Sequence, residues 1–148
     1  MIFSKQSKLS EDQDLSQTAG TYASTNIQDF GAPGTVYGAA AALDRNVGPG
    51  TPVPFLVQIT ETFTSGGAAT LQIQIEVADD ASFSSNNEIV AMSRVFALAE
   101  LVAGLQFGVA ILPNDMRRFA RVNYVIGTAT TTAGTATAGI VHGVQTNG

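Results

Sequence analysis

The chain has no cysteine, no tryptophan and a single histidine among its 148 residues. Lack of cysteine removes disulfide staples, thiolate metal sites and cysteine nucleophiles together, and it suits assembly inside a cell. Charge is sparse as well: charged residues are 13% of the chain, and seven Lys and Arg face twelve Asp and Glu for a net charge of −5. No chain-wide positive field exists to collect phosphates, so nucleic acid is not an expected partner. No apolar run approaches the roughly 18 to 20 residues of a membrane span. The opening MIFSKQSKLSEDQ also lacks the continuous apolar segment of a secretory signal. The expectation is a soluble, unexported chain with no membrane partner.

What is present favours strands. Apolar residues make up 45% of the chain, and Gly, Thr and Ala are abundant, a mix that suits short strands and turns better than solvated helices. The length fits one domain, residues 1–148, with an N-terminal arm over about 1–20. In that arm Ser10-Glu11-Asp12-Gln13 has capping-box spacing, so an arm or edge strand followed by at most one helical turn is expected. Thr21 to Phe30 reads as a loose strand ending at the Gly31-Ala32-Pro33-Gly34 turn. Val36 to Val47 is Ala-rich but short and glycine-bounded, and reads as a loop. Pro49, Pro52 and Pro54 delay full strand pairing until about Phe55. Leu71-Gln72-Ile73-Gln74-Ile75-Glu76-Val77 alternates strictly, the pattern of a half-buried strand. Val53 to Phe63 matches it, and Ser65-Gly66-Gly67 between the two suggests a hairpin. Further strands are expected at 88–96, 105–112, 118–126 and 136–144, the last two joined as a hairpin through Thr128 to Thr135, either a mobile tip or a strip that orders against a neighbour. The sum is an all-β fold of about eight strands with little helix, an antiparallel sandwich or barrel.

Chemistry is hard to locate. His142 shares its strand face with Ala138, Ile140 and Val144, which reads as a core-rim histidine rather than a base. Asp79 through Glu88 is the most oxygen-rich segment but lacks the sixth-position glycine and ligand alternation of an EF-hand loop, so a hydrated turn with Phe83 tucked inward is favoured over a calcium site. Gly66-Gly67 is followed by Ala68-Ala69-Thr70, with no lysine to make a phosphate-cradling loop. No catalytic, cofactor-binding or metal-binding residue is named, no cofactor is expected, and the chain is not expected to be an enzyme.

The arginines carry more information. With Arg118, Ala120, Val122, Tyr124 and Ile126 facing inward, Arg117, Phe119, Arg121, Asn123 and Val125 face outward. Same-face residues lie roughly 6.6 Å apart along a strand, close enough for either guanidinium to lean over the Phe119 ring or reach a partner's carboxylate. Arginine beside an aromatic is an interface composition. The competing reading, held equal to it, is a solvated face whose arginines pair with local acids.

Ser24-Thr25-Asn26-Ile27-Gln28-Asp29-Phe30-Gly31, Asp79-Asp80-Ala81-Ser82-Phe83-Ser84, Leu112-Pro113, Arg118-Phe119, Arg121, Tyr124-Val125, Gly127-Thr128 and Thr137-Ala138-Gly139-Ile140-Val141, in that order, resemble the capsid cement (decoration) proteins of tailed bacteriophages. The resemblance spans nearly the whole chain, although Tyr37 to Leu43 is longer than the family pattern. It implies a β jelly roll on the outside of the virion head, made in the host cytoplasm, that self-associates and bridges neighbouring major capsid protein subunits. A homodimer is favoured over a homotrimer, and no catalytic residues come with the resemblance. On that reading Lys5 and Lys8 in the arm, with Arg117, Phe119 and Arg121, are the candidate contacts to the shell or to a sister copy. The alternative is a carbohydrate-binding β-sandwich, disfavoured because the chain has no Trp and only three Tyr to make a sugar-stacking platform.

Overall fold

The strictly alternating segment at the centre of the sequence becomes β5 (Thr70–Ala78), which buries Leu71, Ile73, Ile75 and Val77 and turns Gln72 and Gln74 outward. The computed structural model describes residues 3–43 and 50–142. Its other strands are β1 (Lys8–Asp14), β2 (Gly20–Ala23), β3 (Gln28–Asp29), β4 (Val53–Ser65), β6 (Glu88–Met92), β7 (Phe96–Ala97), β8 (Gln106–Ile111), β9 (Phe119–Gly127) and β10 (Thr131–Ile140). Three short 3-10 turns, Lys5–Ser7, Leu98–Glu100 and Pro113–Asp115, are the helical elements among the described residues.

The strands pair in a nested way. β1 pairs with β10, β2 with β9, β4 with β8 and β5 with β6, all antiparallel. Lateral pairing of β10 with β4 and of β9 with β5 then closes two sheets, ordered β1-β10-β4-β8 and β2-β9-β5-β6, with β3 added to β9 and β7 to β5. First strand on last, second on next-to-last, rolled into two layers whose main paths each hold four strands, is the jelly-roll arrangement. The inner faces interlock through Phe55, Val57, Ile59 and Phe63 from one sheet and Leu71, Ile73, Ile75, Val122, Tyr124 and Ile126 from the other.

This topology corrects both expected hairpins. β4 and β5 are consecutive but lie in different sheets, as do β9 and β10. Each carries its own apolar stripe, and facing one another across the interior buries both stripes, whereas side-by-side pairing leaves one sheet without a cover. The Thr128 to Thr135 segment is also shorter as a loop than expected, since β10 begins at Thr131. Thr131 is buried and its hydroxyl donates to the Gln17 carbonyl at 3.0 Å, while Thr132 and Thr135 exchange hydroxyl bonds with Thr64 and Thr60 of β4, each at 2.8 Å. Gly134 has φ +138°, and a Cβ there would sit 2.5 Å from the Phe63 ring, so the chain passes directly over that ring.

At the N-terminus the edge strand forms, not a capped helix. Ser10 and Gln13 do bond, at 2.7 Å, but across a bulged strand in which Asp12 takes φ +43°. Burial of Leu9 and Leu15 in the core needs extended chain through this segment and overrides the local helix signal. Thr21 to Phe30 divides into β2 and β3, both on β9. The 36–47 loop keeps one isolated bridge, Thr35 to Ala42; its end, from 44 on, lies outside the described residues. His142 is exposed, not at the core rim. β10 ends at Ile140 and Val141 is the buried residue, its N–H bonded to the Pro54 carbonyl at 3.0 Å, so the next side chain leaves the core. Val144, its expected neighbour, lies outside the described residues.

Candidate interaction surface

Register places the arginine-rich end of β9 against the end of β5, with Arg121 opposite Glu76, Phe119 opposite Ala78 and Asn123 opposite Gln74. These residues occupy the outer face of the β2-β9-β5-β6 sheet. Glu76 is its hub. Only 6% exposed, its carboxylate accepts from Arg121 Nε at 2.7 Å, Asn123 Nδ2 at 2.6 Å and Asn87 Nδ2 at 3.1 Å. Burial pushes this carboxyl upward, but the three donors outweigh it and hold it below the usual range.

Aromatic rings are packed beneath the guanidiniums. Phe83, Phe119 and Ala78 form a small satellite cluster, with Arg121 4.0 Å above the Phe83 ring and Arg118 4.8 Å above the Phe119 ring. Phe83 adopts φ +55° to reach this place, a left-handed conformation that an aromatic residue takes only where packing compensates. The expectation that Phe119 is an exposed aromatic between two arginines is therefore corrected: it is 8% exposed, because the turn carrying Phe83 folds back over the sheet and covers it. Arg118, expected at the core rim, is instead half-exposed and bidentate to Asp29, both bonds 3.1 Å.

The remaining candidates are dispersed. Arg117 bonds Asp79 at 3.2 Å and lies 3.9 Å from Glu88. Lys8 pairs with Glu11 on β1, at the edge of the other sheet. Lys5 sits exposed in the 3-10 turn before it and makes no ion pair among the described residues. The structure therefore gathers Arg117, Phe119 and Arg121 on one sheet and puts Lys5 and Lys8 beside the other. Beside Lys5, an open cleft of about 400 Å³ is lined by Ser4, Gln6, Ser7, Gln28, Ile140, Val141 and His142.

The oxygen-rich turn after β5 is organised by its own donors. Asp80 accepts from the Ser82 hydroxyl, from Ser84 N–H at 3.1 Å and from Ser85 N–H at 2.7 Å. With the Ser82 bond foremost, these hold its carboxyl at about 2. Its oxygens are directed into the turn, and among the described residues no group of three or more His, Cys, Asp or Glu could hold a metal ion. Glu76 and Asp29 were missed as organisers of this surface. The signal for Glu76 was its polar position in an alternating strand; the pairing of Asp29 with Arg118 spans 89 residues and left no local trace.

The Bbp16 family model matches residues 9–140, nearly the whole jelly roll. The chain belongs to the Bbp16 family, which is phage-associated. No curated protein matches the sequence.

Proposed function

We propose that this Bbp16-family chain is a capsid cement, or decoration, protein that binds the outside of a phage head and bridges neighbouring major capsid protein subunits. It is made in the host cytoplasm, ends in the virion and self-associates, as a homodimer in preference to a homotrimer. The family match over residues 9–140 carries this reading, and the jelly roll supports it by supplying a rigid body with several separate surfaces. A cement protein gains from many modest contacts, because repetition over a shell multiplies them. Lys5, Lys8 and Arg117 remain accessible for such contacts, although Lys8 and Arg117 already have intrachain partners. Phe119 supports the surface from below, and Arg121 is tied to Glu76.

Co-sedimentation with empty phage heads, with the solution mass measured alongside, tests the function. The protein should pellet with heads in saturable, stoichiometric amounts; a monomer that never pellets overturns the reading. Charge reversal at Lys5 and Arg117 should weaken pelleting without altering the circular dichroism spectrum, and unchanged binding removes those residues as contacts.

A further inference from the structure

Edge strands expose a row of backbone donors and acceptors, and proteins guard them with charge, proline, bulges or short length. Among the described residues, three of the four sheet edges are guarded. β1 carries Lys8, Glu11, Asp12 and Asp14 and breaks register twice against β10. β2 is only four residues long. β6 includes Glu88 and has a register break against β5. β8 has none of these features. It runs through six consecutive pairs with β4 without a break, and no charged residue or proline occurs from Leu101 to Leu112.

The direction of its free groups follows from the ladder. Ile59 N–H bonds the Leu105 carbonyl and Gly104 N–H bonds the Ile59 carbonyl, both within 2.9 Å. On the far side of β4, the Pro54 carbonyl accepts from Val141. Alternation therefore turns the N–H and C=O of Phe107 and Val109 toward β4 and those of Gln106, Gly108 and Ala110 away from the sheet. Gln106, Gly108 and Ala110 are solvent-exposed as residues as well.

We propose that β8 is the self-association edge and that its occupant is β8 of a second copy, antiparallel across a two-fold axis at Gly108. This deepens the self-association part of the functional reading and rests on it. Pairing about Gly108 matches Gln106 with Ala110 of the partner and the reverse, so the outward groups exchange about six hydrogen bonds and the two β1-β10-β4-β8 sheets join into one. The ends of the strand favour a second copy over a foreign strand. Val102 before β8 and Leu112 after it are both solvent-exposed, at 48% and 57%. Antiparallel self-pairing lays the start of each strand beside the end of the other, so each Leu112 comes to the partner's 102–104 turn and covers an apolar residue there. A segment without charge also brings no like charges together, although each copy carries a net charge of −5.

The test uses Ala110→Pro and Ala110→Lys in the full chain. The Ala110 N–H faces outward, so proline there deletes an intermolecular donor without cutting the β4 ladder; lysine places a charge on the edge and keeps the donor. Sedimentation equilibrium should show a dimer for the parent chain and a dissociation constant raised at least about tenfold in both variants, with β-rich circular dichroism retained. Should Ala110→Pro misfold, the lysine variant still reads the edge. A parent chain that is monomeric overturns both self-association and this edge. A parent dimer matched by folded variants of unchanged mass overturns the edge alone. Head binding, followed separately by co-sedimentation, tells failure of the cement reading from failure of the edge.

Discussion

The outer face of β5 and β9 and the outer edge of β8 belong to the same sandwich but solve opposite problems. On the face, the charged groups have partners within the chain: Arg121 on Glu76, which also accepts from the Asn123 amide, Arg117 on Asp79, and Arg118 on Asp29. On the edge there is no charge at all, and backbone groups point outward without partners among the described residues. A surface rich in arginine is thus largely satisfied internally, and a bland uncharged strand holds the unused bonding capacity. Residue types that are enriched at interfaces do not by themselves show where an interface lies, since what counts is which groups the fold leaves unpaired.

The contrast is broken most directly at Glu76. Glu76→Ala should cost about 3 kcal/mol by urea denaturation, because it leaves the half-buried Arg121 and the buried Asn123 without their acceptor; a loss below about 1 kcal/mol would mean the face is not held by this hub. Gly134→Ala, in β10 of the opposite sheet, should cost about 2 kcal/mol through its left-handed backbone and its contact with Phe63, and an unchanged urea midpoint contradicts that packing.

Acid should act through the paired carboxylates, those of the charged face and Glu100 with Arg94 alike. Asp80 is held at about 2, with the Ser82 bond its largest cause, and Glu100 at about 2, with Arg94 its largest cause. Asp29 is lowered chiefly by Arg118, and Asp79 chiefly by Asn86. Carboxyls depressed in the folded state contribute stability that is complete above their ordinary values of 3.8 to 4.5 and is lost as pH falls through the folded values. The urea midpoint should therefore hold from pH 7 to about pH 5 and drop between about pH 4.5 and pH 2. A midpoint that rises on acidification would contradict the sign of these shifts.

The smallest effects sharpen the comparison from both sides. Arg117→Glu should cost less than about 1 kcal/mol, since its pairs with Asp79 and Glu88 are solvent-exposed. Ala110→Lys should change monomer stability by less than about 0.5 kcal/mol. A large loss from either would show that the exposed group is part of the packing.

Sequence patterning was most legible where one strand meets one core. The alternation from Leu71 to Val77 placed β5 and its buried stripe directly, and Ala120, Val122, Tyr124 and Ile126 were assigned to the interior of β9 correctly. It failed where a second segment intervened. Phe119 has the right parity for an outward residue, and it does point outward from the sheet, but the 79–87 turn brings Phe83 over it. Ser10 and Gln13 have helix-cap spacing, yet Leu9 and Leu15 are drawn into the core and the cap residues bond across a bulge. His142 follows strand parity only as far as Ile140, where the ladder ends.

The all-β class, the approximate positions of the central strands and the inward stripes of β5 and β9 from Ala120 on came from the sequence alone, because period-two alternation is a local property that burial of one face enforces. Strand order, the placing of consecutive strands in opposite sheets, the Glu76 and Asp29 pairings and the bare edge at β8 were decided only by tertiary structure. Each depends on which distant segment becomes a neighbour. That is settled by covering two apolar faces at once, a condition no single window of residues contains.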